Sequence, residues 1–279
     1  MGLEIKKKYS SNFSISFLFL PRKKRNAIKT IYEFCRITDD IVDDDISLLD
    51  KKKKIEIWEK EFQNSFFSSS KFQLLNKLQY VINNFKIPKD YFLNLIEGAK
   101  FDLSKNRYAN FAELQRYCEL VASNVGFMLL KIFEDESEIS NEYAKNLGIA
   151  FQLTNIIRDI KSDAKRNRIY IPQTDFKKIG YRESDLFQYL HNDNLISLLK
   201  FQVDRAKEFF AAADKLFLML DCKKLLVAKI MHNIYYTILI KIEKHNFNVF
   251  KRKISISFAQ KFKIALKTFV KIKTLNAKN

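Results

Sequence analysis

Two groups of acidic side chains, far apart in the chain, have the spacing expected of ligands for divalent cations. The first contains Asp39 and Asp43, which are four residues apart and would point the same way from a helix. Like charges at this spacing repel each other, so the pair destabilises a helix unless a cation lies between them. Arg36 lies one turn before Asp39. An acidic helix end exposed on the surface is the alternative interpretation.

The second group is a polar stripe where an amphipathic helix would normally be apolar. Its members fall at offsets 0, 3, 7 and 11 and are Gln152, Asn155, Asp159 and Asp163. Apolar residues surround them, and a buried polar stripe is destabilising unless its groups are satisfied. Carboxylate and amide oxygens are hard ligands that suit Mg²⁺ together with phosphate and water. Two such helices facing each other would hold divalent ions that bind a diphosphate and stabilise it as a leaving group.

The composition favours helices as the elements that carry these side chains. The 279-residue chain has only 5 Gly and 3 Pro, while 47% of its residues are hydrophobic. β-Sandwiches and barrels need more turn residues than this, and no Gly-rich nucleotide fingerprint occurs. Helical periodicity predicts helices over 110–133 and 140–163, with the main loop over 165–183. No linker is long enough to separate domains, so we expect residues 1–279 to form one all-α domain.

The cysteines and the apolar runs favour a cytoplasmic protein. Cys35, Cys118 and Cys222 are far apart and make no CxxC pair, so neither a disulfide framework nor a zinc site is expected. No window reaches 18 uninterrupted apolar residues, which argues against a membrane-spanning helix. The apolar stretch near the start is too short for a signal peptide.

The net charge of +18 is concentrated towards the two ends of the chain. Residues 1–30 contribute +7 and residues 223–279 contribute +13, which leaves −2 for the middle. This distribution suggests an anionic partner such as a nucleic acid, a phosphorylated substrate or an anionic membrane. A lysine-rich composition is the alternative explanation. A nucleic-acid-binding role leaves the acidic stripes unexplained, so we expect no nucleic-acid partner.

A basic amphipathic helix is expected over about 255–274. Its apolar positions are Phe258, Phe262, Ala265, Leu266, Phe269 and Ile272. Lysines lie between them, and a helix of this type lies on anionic lipid. The alternative is a terminal helix that packs on the domain and leaves its basic face exposed to solvent. Peripheral association with the inner face of a membrane therefore stays open.

Three stretches of the chain carry longer motifs, and two of these contain the acidic residues described above. The first acidic pair lies in Ile31–Asp43, and the polar stripe lies in Gln152–Asp163, followed by Arg168–Pro172. Between them come Asp102 and the signature Arg107–Cys118. Together these motifs are similar to those of the squalene/phytoene synthase family, the head-to-head prenyl synthases, over almost the whole chain. The resemblance implies an isoprenoid-synthase-like helical bundle around a central cavity.

The resemblance also implies a role for each matching residue. The residues that would bind Mg²⁺ are Asp39, Asp43, Asn155, Asp159 and Asp163. About two or three ions are expected. The residues that would hold diphosphate groups are Arg36, Gln152, Arg158, Tyr235 and Arg252. Tyr117 would lie near the reacting carbons, and it is the further catalytic residue beside the four aspartates.

The implied substrates are farnesyl-type diphosphates, which would be joined through presqualene diphosphate to a C30 isoprenoid. Capture of the final cation by water would give hydroxysqualene, and capture of hydride would give squalene. Loss of a proton would give a conjugated polyene. NADPH would supply the hydride, although no sequence motif supports its binding.

Within the family, the chain is most similar to the bacterial hopanoid-pathway branch that makes hydroxysqualene. Asn12–Phe13 and the segment 201–206 carry this similarity. A phytoene- or dehydrosqualene-type synthase and a catalytically weak partner subunit of a prenyl-synthase pair are the alternatives. The chain departs from the family pattern at Ser162, usually an acid, at Asn167, usually Gly, and at Tyr9, often His.

Overall fold

The computed structural model describes residues 15–275 of the chain. Over this range the protein is all-α, as expected, and β-type pairing is limited to one isolated bridge between Arg107 and Ile169. The helices are α1 Arg22–Asp43, α2 Leu48–Asn64, α3 Gln73–Phe85, α4 Lys89–Ser104, α5 Phe111–Cys118, α6 Asn124–Phe133, α7 Glu138–Lys165, α8 Gln173–Ile179, α9 Glu183–Phe187, α10 Asp193–Phe217, α11 Leu226–Lys244 and α12 Phe258–Leu275. The motif residues Tyr9, Asn12 and Phe13 lie outside the described residues.

Helix α7 is the central element of the bundle and packs against α6, α10 and α11. Its apolar side chains, among them Leu153, Ile157 and Ile160, are buried. Burial of this apolar face leaves the polar stripe of the same helix facing the interior cavity described below.

An aromatic cluster shared with α2 and α4 fixes the rotation of helix α1 about its own axis. Phe34, Trp58, Phe62 and Phe92 are fully buried, and the Phe34 ring centroid lies 5.2–5.3 Å from those of the other three. The indole Nε1 of Trp58 donates a hydrogen bond of 3.0 Å to Oγ1 of Thr38 on α1. Because one face of α1 is anchored in this way, its acidic pair points away from the cluster.

The helix predicted over 110–133 is continuous but contains a wider, π-helical turn at Glu119–Ser123. Its N-terminus is capped, because the Asn110 side chain accepts a hydrogen bond of 3.1 Å from the Glu113 N–H. After the wide turn, Asn124 Nδ2 donates to the carbonyls of Glu119 and Leu120 at 3.0 and 3.1 Å. The Glu119 carbonyl also accepts from the Asn124 backbone N–H, so Asn124 closes the wide turn with both its side chain and its main chain.

The prediction of one loop over 165–183 is wrong, because it contains helix α8. Pro172 immediately precedes this helix, and Gly180 ends it with φ +76°. Pro and Gly are common in loops, but Pro just before a helix and Gly just after one are also common boundary residues. None of the helices within residues 15–275 combines the length and the apolar character that crossing a membrane requires.

The close contact between α7 and the wide turn depends on Gly148. A Cβ atom at this position would lie 2.7 Å from both the Cα and the backbone N of Ser123. We therefore expect Gly148→Ala to lower the free energy of unfolding by about 2–3 kcal/mol, because backbone atoms cannot move aside as a side-chain end can. Gly126→Ala, whose Cβ would lie 3.2 Å from Ala144, is the milder comparison. Urea denaturation measures both, and wild-type stability in Gly148→Ala would contradict the prediction.

Candidate active site

A polar cavity of about 830 Å³ lies between α1, α4, α7 and the segment that joins α11 to α12. The acidic and amide residues that line it are Asp39, Asp43, Gln152, Asn155, Asp159 and Asp163. The other expected site residues that line it are Arg36, Tyr117, Arg158 and Tyr235. The fold therefore brings two distant parts of the sequence to opposite walls of one chamber.

On the α7 wall, Asp159 is paired with two cations. Arg158 Nε donates to one oxygen of this carboxylate at 3.0 Å and Arg158 Nη2 donates to the other. Lys253 Nζ lies 3.0 Å from Asp159 Oδ1. Burial acts to raise the pKa of Asp159, but the bonds and charges of Arg158 and Lys253 outweigh it and hold the pKa below its usual value. Asp159 is therefore ionised at neutral pH.

On the α1 wall, Asp43 is paired with the segment that follows α7. Arg168 Nη1 donates to Asp43 Oδ1 at 2.7 Å, and Arg168 Nη2 donates to the Val42 carbonyl at 2.9 Å. Arg166 Nη2 lies 3.5 Å from the other Asp43 oxygen. Arg168 is nearly buried, so this pair ties the C-terminal ends of α1 and α7 together across the cavity.

Asn167, where the resemblance implies Gly, adopts the conformation that the turn requires. Its φ is +58°, a region that Asn enters more readily than most residues. Arg107 Nη1 donates to the Asn167 carbonyl at 2.8 Å, and Arg107 Nη2 donates to its side-chain oxygen at 3.0 Å. The departure therefore preserves the turn that places Arg168.

Tyr117 belongs to a hydrogen-bonded cluster around Asp102 on α4. Its hydroxyl donates to Asp102 Oδ2 at 3.0 Å, and the Tyr170 hydroxyl donates to Oδ1 at 2.7 Å. The two tyrosine rings stack with centroids 5.2 Å apart. Burial raises the pKa of Asp102, while the charge of Arg168 and the two tyrosine bonds oppose this shift. Asp102 therefore fixes where the Tyr117 hydroxyl points within the cavity.

Asp39 and Asp163 make no salt bridge within residues 15–275, in contrast to the paired Asp43 and Asp159. Although Asp39 faces the open chamber, the enclosing protein atoms and the carboxylates of Asp43 and Asp102 raise its pKa to about 7. Burial and the charge of Asp159 likewise raise the pKa of Asp163 to about 7. The nearby charges of Arg36, Arg166 and Arg168 oppose these shifts without outweighing them. The cavity thus contains two carboxylates without a salt-bridge partner among the described residues.

The donor set suits Mg²⁺ bound together with a phosphorylated substrate. Asn155 Oδ1 is buried and accepts no hydrogen bond from the part of the chain that the structure describes. Within 15–275, no three His, Cys, Asp or Glu side chains are close enough to hold an ion by themselves. Mg²⁺ usually binds one or two carboxylates and takes its other ligands from water and phosphate. The orphaned amide oxygen and the unpaired carboxylates fit such an ion, with the substrate supplying further ligands.

An apolar cavity of about 220 Å³ adjoins the polar one. Among the residues that line both are Asp39, Gln152, Asn155 and Tyr235. Its apolar lining includes Phe17, Ile31, Leu129, Phe133, Leu147 and Met231. The Tyr235 ring stacks on Phe151 with centroids 4.3 Å apart. The combined space therefore suits a molecule with an anionic head and an apolar tail.

Arg252 is the one expected site residue that the structure does not bring into either cavity. It is exposed, and its Nη2 lies 2.6 Å from His245 Nε2. The next residue, Lys253, lines the polar cavity instead, as does Lys261 from α12. Sequence reasoning missed both lysines because the chain is lysine-rich throughout, so no local pattern distinguishes them.

Among the further cavity residues that lie inside the motifs quoted above, three make the contacts just described although no role was assigned to them. They are Asp102, Arg168 and Tyr170. Asp102 had no distinguishing local pattern, because Glu97, Lys100 and Lys105 lie close to it in the sequence. The contacts of Arg168 depend on the turn at Asn167, so its partner Asp43 was not predictable from spacing alone.

The pKa shifts predict a pH-dependent stability of the metal-free protein. Asp39 and Asp163 keep protons in the folded state up to about pH 7, whereas the unfolded chain releases them near 3.8. The folded state binds more protons in this window, so we expect the free energy of unfolding to fall as pH rises through it. Denaturation at about pH 5 and pH 7.5 in a chelator measures the slope. An unchanged slope in the Asp39→Asn/Asp163→Asn double variant would contradict this assignment.

Comparison with known proteins agrees with the motifs. The squalene/phytoene synthase family model matches residues 6–260. The 15-cis-phytoene synthase of Synechococcus elongatus is 33% identical over 264 residues, which cover 90% of this chain and 85% of that protein. Phytoene synthase 1 of Solanum lycopersicum is 33% identical over 265 residues, which cover 92% of this chain and 64% of that protein.

Two solved structures share the fold. The squalene synthase HpnC from Alicyclobacillus acidocaldarius superposes with a TM-score of 0.78 at 27% identity, covering 86% of this chain and 90% of that one. A ligand-bound dehydrosqualene synthase superposes with a TM-score of 0.86 at 25% identity, covering 95% of this chain and 93% of that one.

Proposed function

The chain belongs to the squalene/phytoene synthase family, and on that premise we propose that it joins two farnesyl-type diphosphates through presqualene diphosphate into a C30 isoprenoid. One observation carries the proposal. The polar cavity with its two acidic walls opens into an apolar cavity, and residues that include Asp39 and Asn155 line both. A diphosphate head and a prenyl tail therefore have adjoining sites of matching polarity.

The proposed reaction begins when the bond between C1 and the diphosphate oxygen of one substrate breaks. The electron pair leaves with the diphosphate, and an allylic cation remains. The double bond of the second substrate attacks this cation, and loss of a proton closes the cyclopropane ring of presqualene diphosphate. Loss of the second diphosphate and rearrangement give a second cation. In the proposed hydroxysqualene-forming branch the oxygen of a water molecule bonds to this cation and then releases a proton to solvent, which leaves the neutral alcohol.

The cations of the polar cavity are the proposed holders of the diphosphate groups. Arg36 and Arg158 line the cavity, and Lys253 joins them from the segment before α12. An Arg guanidinium presents forked donors that match phosphate oxygens, and Lys adds a point charge. Arg36 and Arg158 now pair with Asp40 and Asp159, so these contacts would rearrange when substrate binds.

The proposed magnesium ligands come from both walls of the cavity. They are Asp39, Asp43, Asn155, Asp159 and Asp163. Mg²⁺, when bound, would neutralise the diphosphate and stabilise it as a leaving group. Tyr117 is proposed to lie beside the reacting carbons, where Asp102 holds its hydroxyl. The apolar lining would exclude stray water from the cationic intermediates.

Phytoene formation from a longer diphosphate is the second candidate function. The specific observation in its favour is that the curated relatives at 33% identity are phytoene synthases. The two solved relatives described above, in contrast, are a squalene synthase and a dehydrosqualene synthase. The choice between these products depends on chain length and on how the last cation is quenched.

A weak partner subunit is the third candidate, and Ser162 is the observation behind it. Its hydroxyl donates to the Asp159 carbonyl of the same helix at 2.8 Å and supplies no carboxylate to the cavity. The remaining proposed ligands are all present, so we favour an active enzyme. We further propose that it acts in the cytoplasm and that its C30 product passes into a membrane.

Incubation of the purified full chain with defined substrates tests the proposal. Farnesyl diphosphate, presqualene diphosphate and geranylgeranyl diphosphate are supplied separately with Mg²⁺, with and without NADPH, and products are identified by mass spectrometry. We expect hydroxysqualene from the first two without NADPH, and no product in a chelator. Phytoene from the third substrate alone would favour the second candidate. No turnover of any substrate would overturn the enzyme proposal, and turnover only after adding a second prenyl synthase would support the partner subunit.

A further inference from the structure

Helix α12 carries two separate apolar rows, and only one of them packs on the protein. The apolar Ala265 and Ile272, with the polar Thr268 between them, are buried on the side that faces α11. Asn233 Nδ2 of α11 donates to Thr268 Oγ1 at 2.8 Å, which fixes the rotation of α12. The packing interpretation of this helix is therefore correct for one face and leaves the other face unaccounted for.

The second row points to solvent. Its members are Phe258, which is 70% exposed, Phe262 at 47%, Leu266 at 47% and Val270 at 50%. They are spaced four residues apart and so form one stripe along the helix. Single exposed apolar residues are ordinary, but a contiguous exposed stripe marks an interaction surface.

A row of lysines runs beside this apolar stripe. Lys263, Lys267 and Lys271 are exposed, and each follows a member of the stripe by one residue. Glu243 is the last acidic residue of the chain, so no carboxylate on or near α12 in the sequence neutralises these charges. The surface formed by the apolar stripe and the three lysines is called the α12 face below.

We propose that the α12 face docks on an anionic lipid bilayer. The apolar stripe would enter the boundary between headgroups and acyl chains, while the lysines would contact lipid phosphates, which is the arrangement of an interfacial amphipathic helix. Charge complementarity favours lipid over a second copy of this chain. A symmetric contact between two copies would bring the same lysines together, and their repulsion would oppose it.

The same helix also reaches the polar cavity, because Lys261 lines it. Docking through α12 would thus place the cavity close to the bilayer into which an apolar product would pass. Lipid binding is measured without substrate, so this inference fails or holds separately from the proposed activity.

Sedimentation with vesicles tests the proposal on the full chain. Vesicles of phosphatidylglycerol and phosphatidylcholine are compared with vesicles of phosphatidylcholine alone, at about 0.1 M salt. We expect binding to the anionic vesicles that weakens at high salt. Equal binding to both vesicle types, or no binding to either, would overturn the proposal.

Matched variants separate the two rows. Phe258→Ser/Phe262→Ser is expected to lower the partition coefficient by about tenfold or more, since two exposed rings lose their insertion. Lys263→Gln/Lys267→Gln/Lys271→Gln is expected to lower it on the order of 100-fold, as each lysine contributes about fivefold near an anionic surface. Phe67→Ser is the control, because Phe67 is 91% exposed but lies between α2 and α3. Circular dichroism confirms that each variant is folded.

Fluorescence and hydrodynamics distinguish the bilayer from other occupants. The native Trp58 is fully buried, so a Phe262→Trp variant reports on the α12 face. We expect its emission to shift to the blue with anionic vesicles, while Phe67→Trp does not respond. If the chain instead dimerises without lipid, and Phe258→Ser/Phe262→Ser yields a monomer with unchanged vesicle binding, the face is a self-interface and the proposal is wrong.

Discussion

Asp39→Ala and Asp159→Ala are each expected to lower kcat/KM for farnesyl diphosphate by about a thousandfold or more. The two carboxylates lie on opposite walls of the polar cavity and are proposed to ligate the ions that hold the diphosphate. Stabilisation of a leaving group by a metal is worth several kcal/mol, and about 4 kcal/mol corresponds to this factor. Steady-state kinetics at saturating Mg²⁺ measures the loss.

Asp45→Ala is the matched control for the first of these variants. Asp45 belongs to the same acidic run as Asp39 but is exposed and does not line either cavity. We expect its activity to stay near that of the wild type, which separates a ligand role from a loss of negative charge. Full activity in Asp39→Ala or Asp159→Ala, with the fold intact, would remove the basis of the metal assignment.

Ala228→Phe is expected to raise KM for farnesyl diphosphate by about a hundredfold. Ala228 lines the apolar cavity of about 220 Å³, and the larger ring would occupy space proposed for the prenyl tail. Excluding about four carbons at about 0.8 kcal/mol for each CH₂ removes about 3 kcal/mol of binding free energy. Binding of inorganic diphosphate with Mg²⁺ is expected to be unchanged, because its site lies in the other cavity. Kinetics and calorimetry together measure the two effects.

Ala211→Phe controls for the substitution itself. Ala211 is exposed on α10 and lines neither cavity, so the same change there should leave KM near the wild-type value. If Ala228→Phe weakened diphosphate binding as strongly as substrate binding, the variant would have distorted the whole site. Unchanged KM with a folded protein would show that the prenyl tail does not lie in this cavity.

Much of the site was predictable because its residues follow helical spacing. The period of the helix alone places four polar residues on one face. They are Gln152, Asn155, Asp159 and Asp163, and all four line the cavity. The all-α fold was predictable for a similar reason, since scarce Gly and Pro leave few residues for the turns of a sheet. Recognition of the family is confirmed by the match over residues 6–260.

Residues brought in by turns were not predictable in the same way. Arg252 and Lys253 are adjacent and both basic, yet only Lys253 lines the cavity, because side-chain direction in an irregular segment follows from its tertiary contacts. A side chain of α7 anchors this segment, because Lys161 Nζ donates a hydrogen bond of 2.6 Å to the Phe250 carbonyl. Helix α8 was missed because Pro172 and Gly180 suit either a loop or the ends of a short helix.

The sequence by itself determined the helical class, the family and the polar stripes, because these depend on composition, motif and local period. Only the tertiary structure decided that Asp43 pairs with Arg168, while Asp39 and Asp163 make no salt bridge within residues 15–275. It also decided that α12 buries one apolar row and exposes the other. Helical periodicity states which residues share a face, but the neighbour that covers a face is set by packing between elements distant in the chain, and no local pattern contains that information.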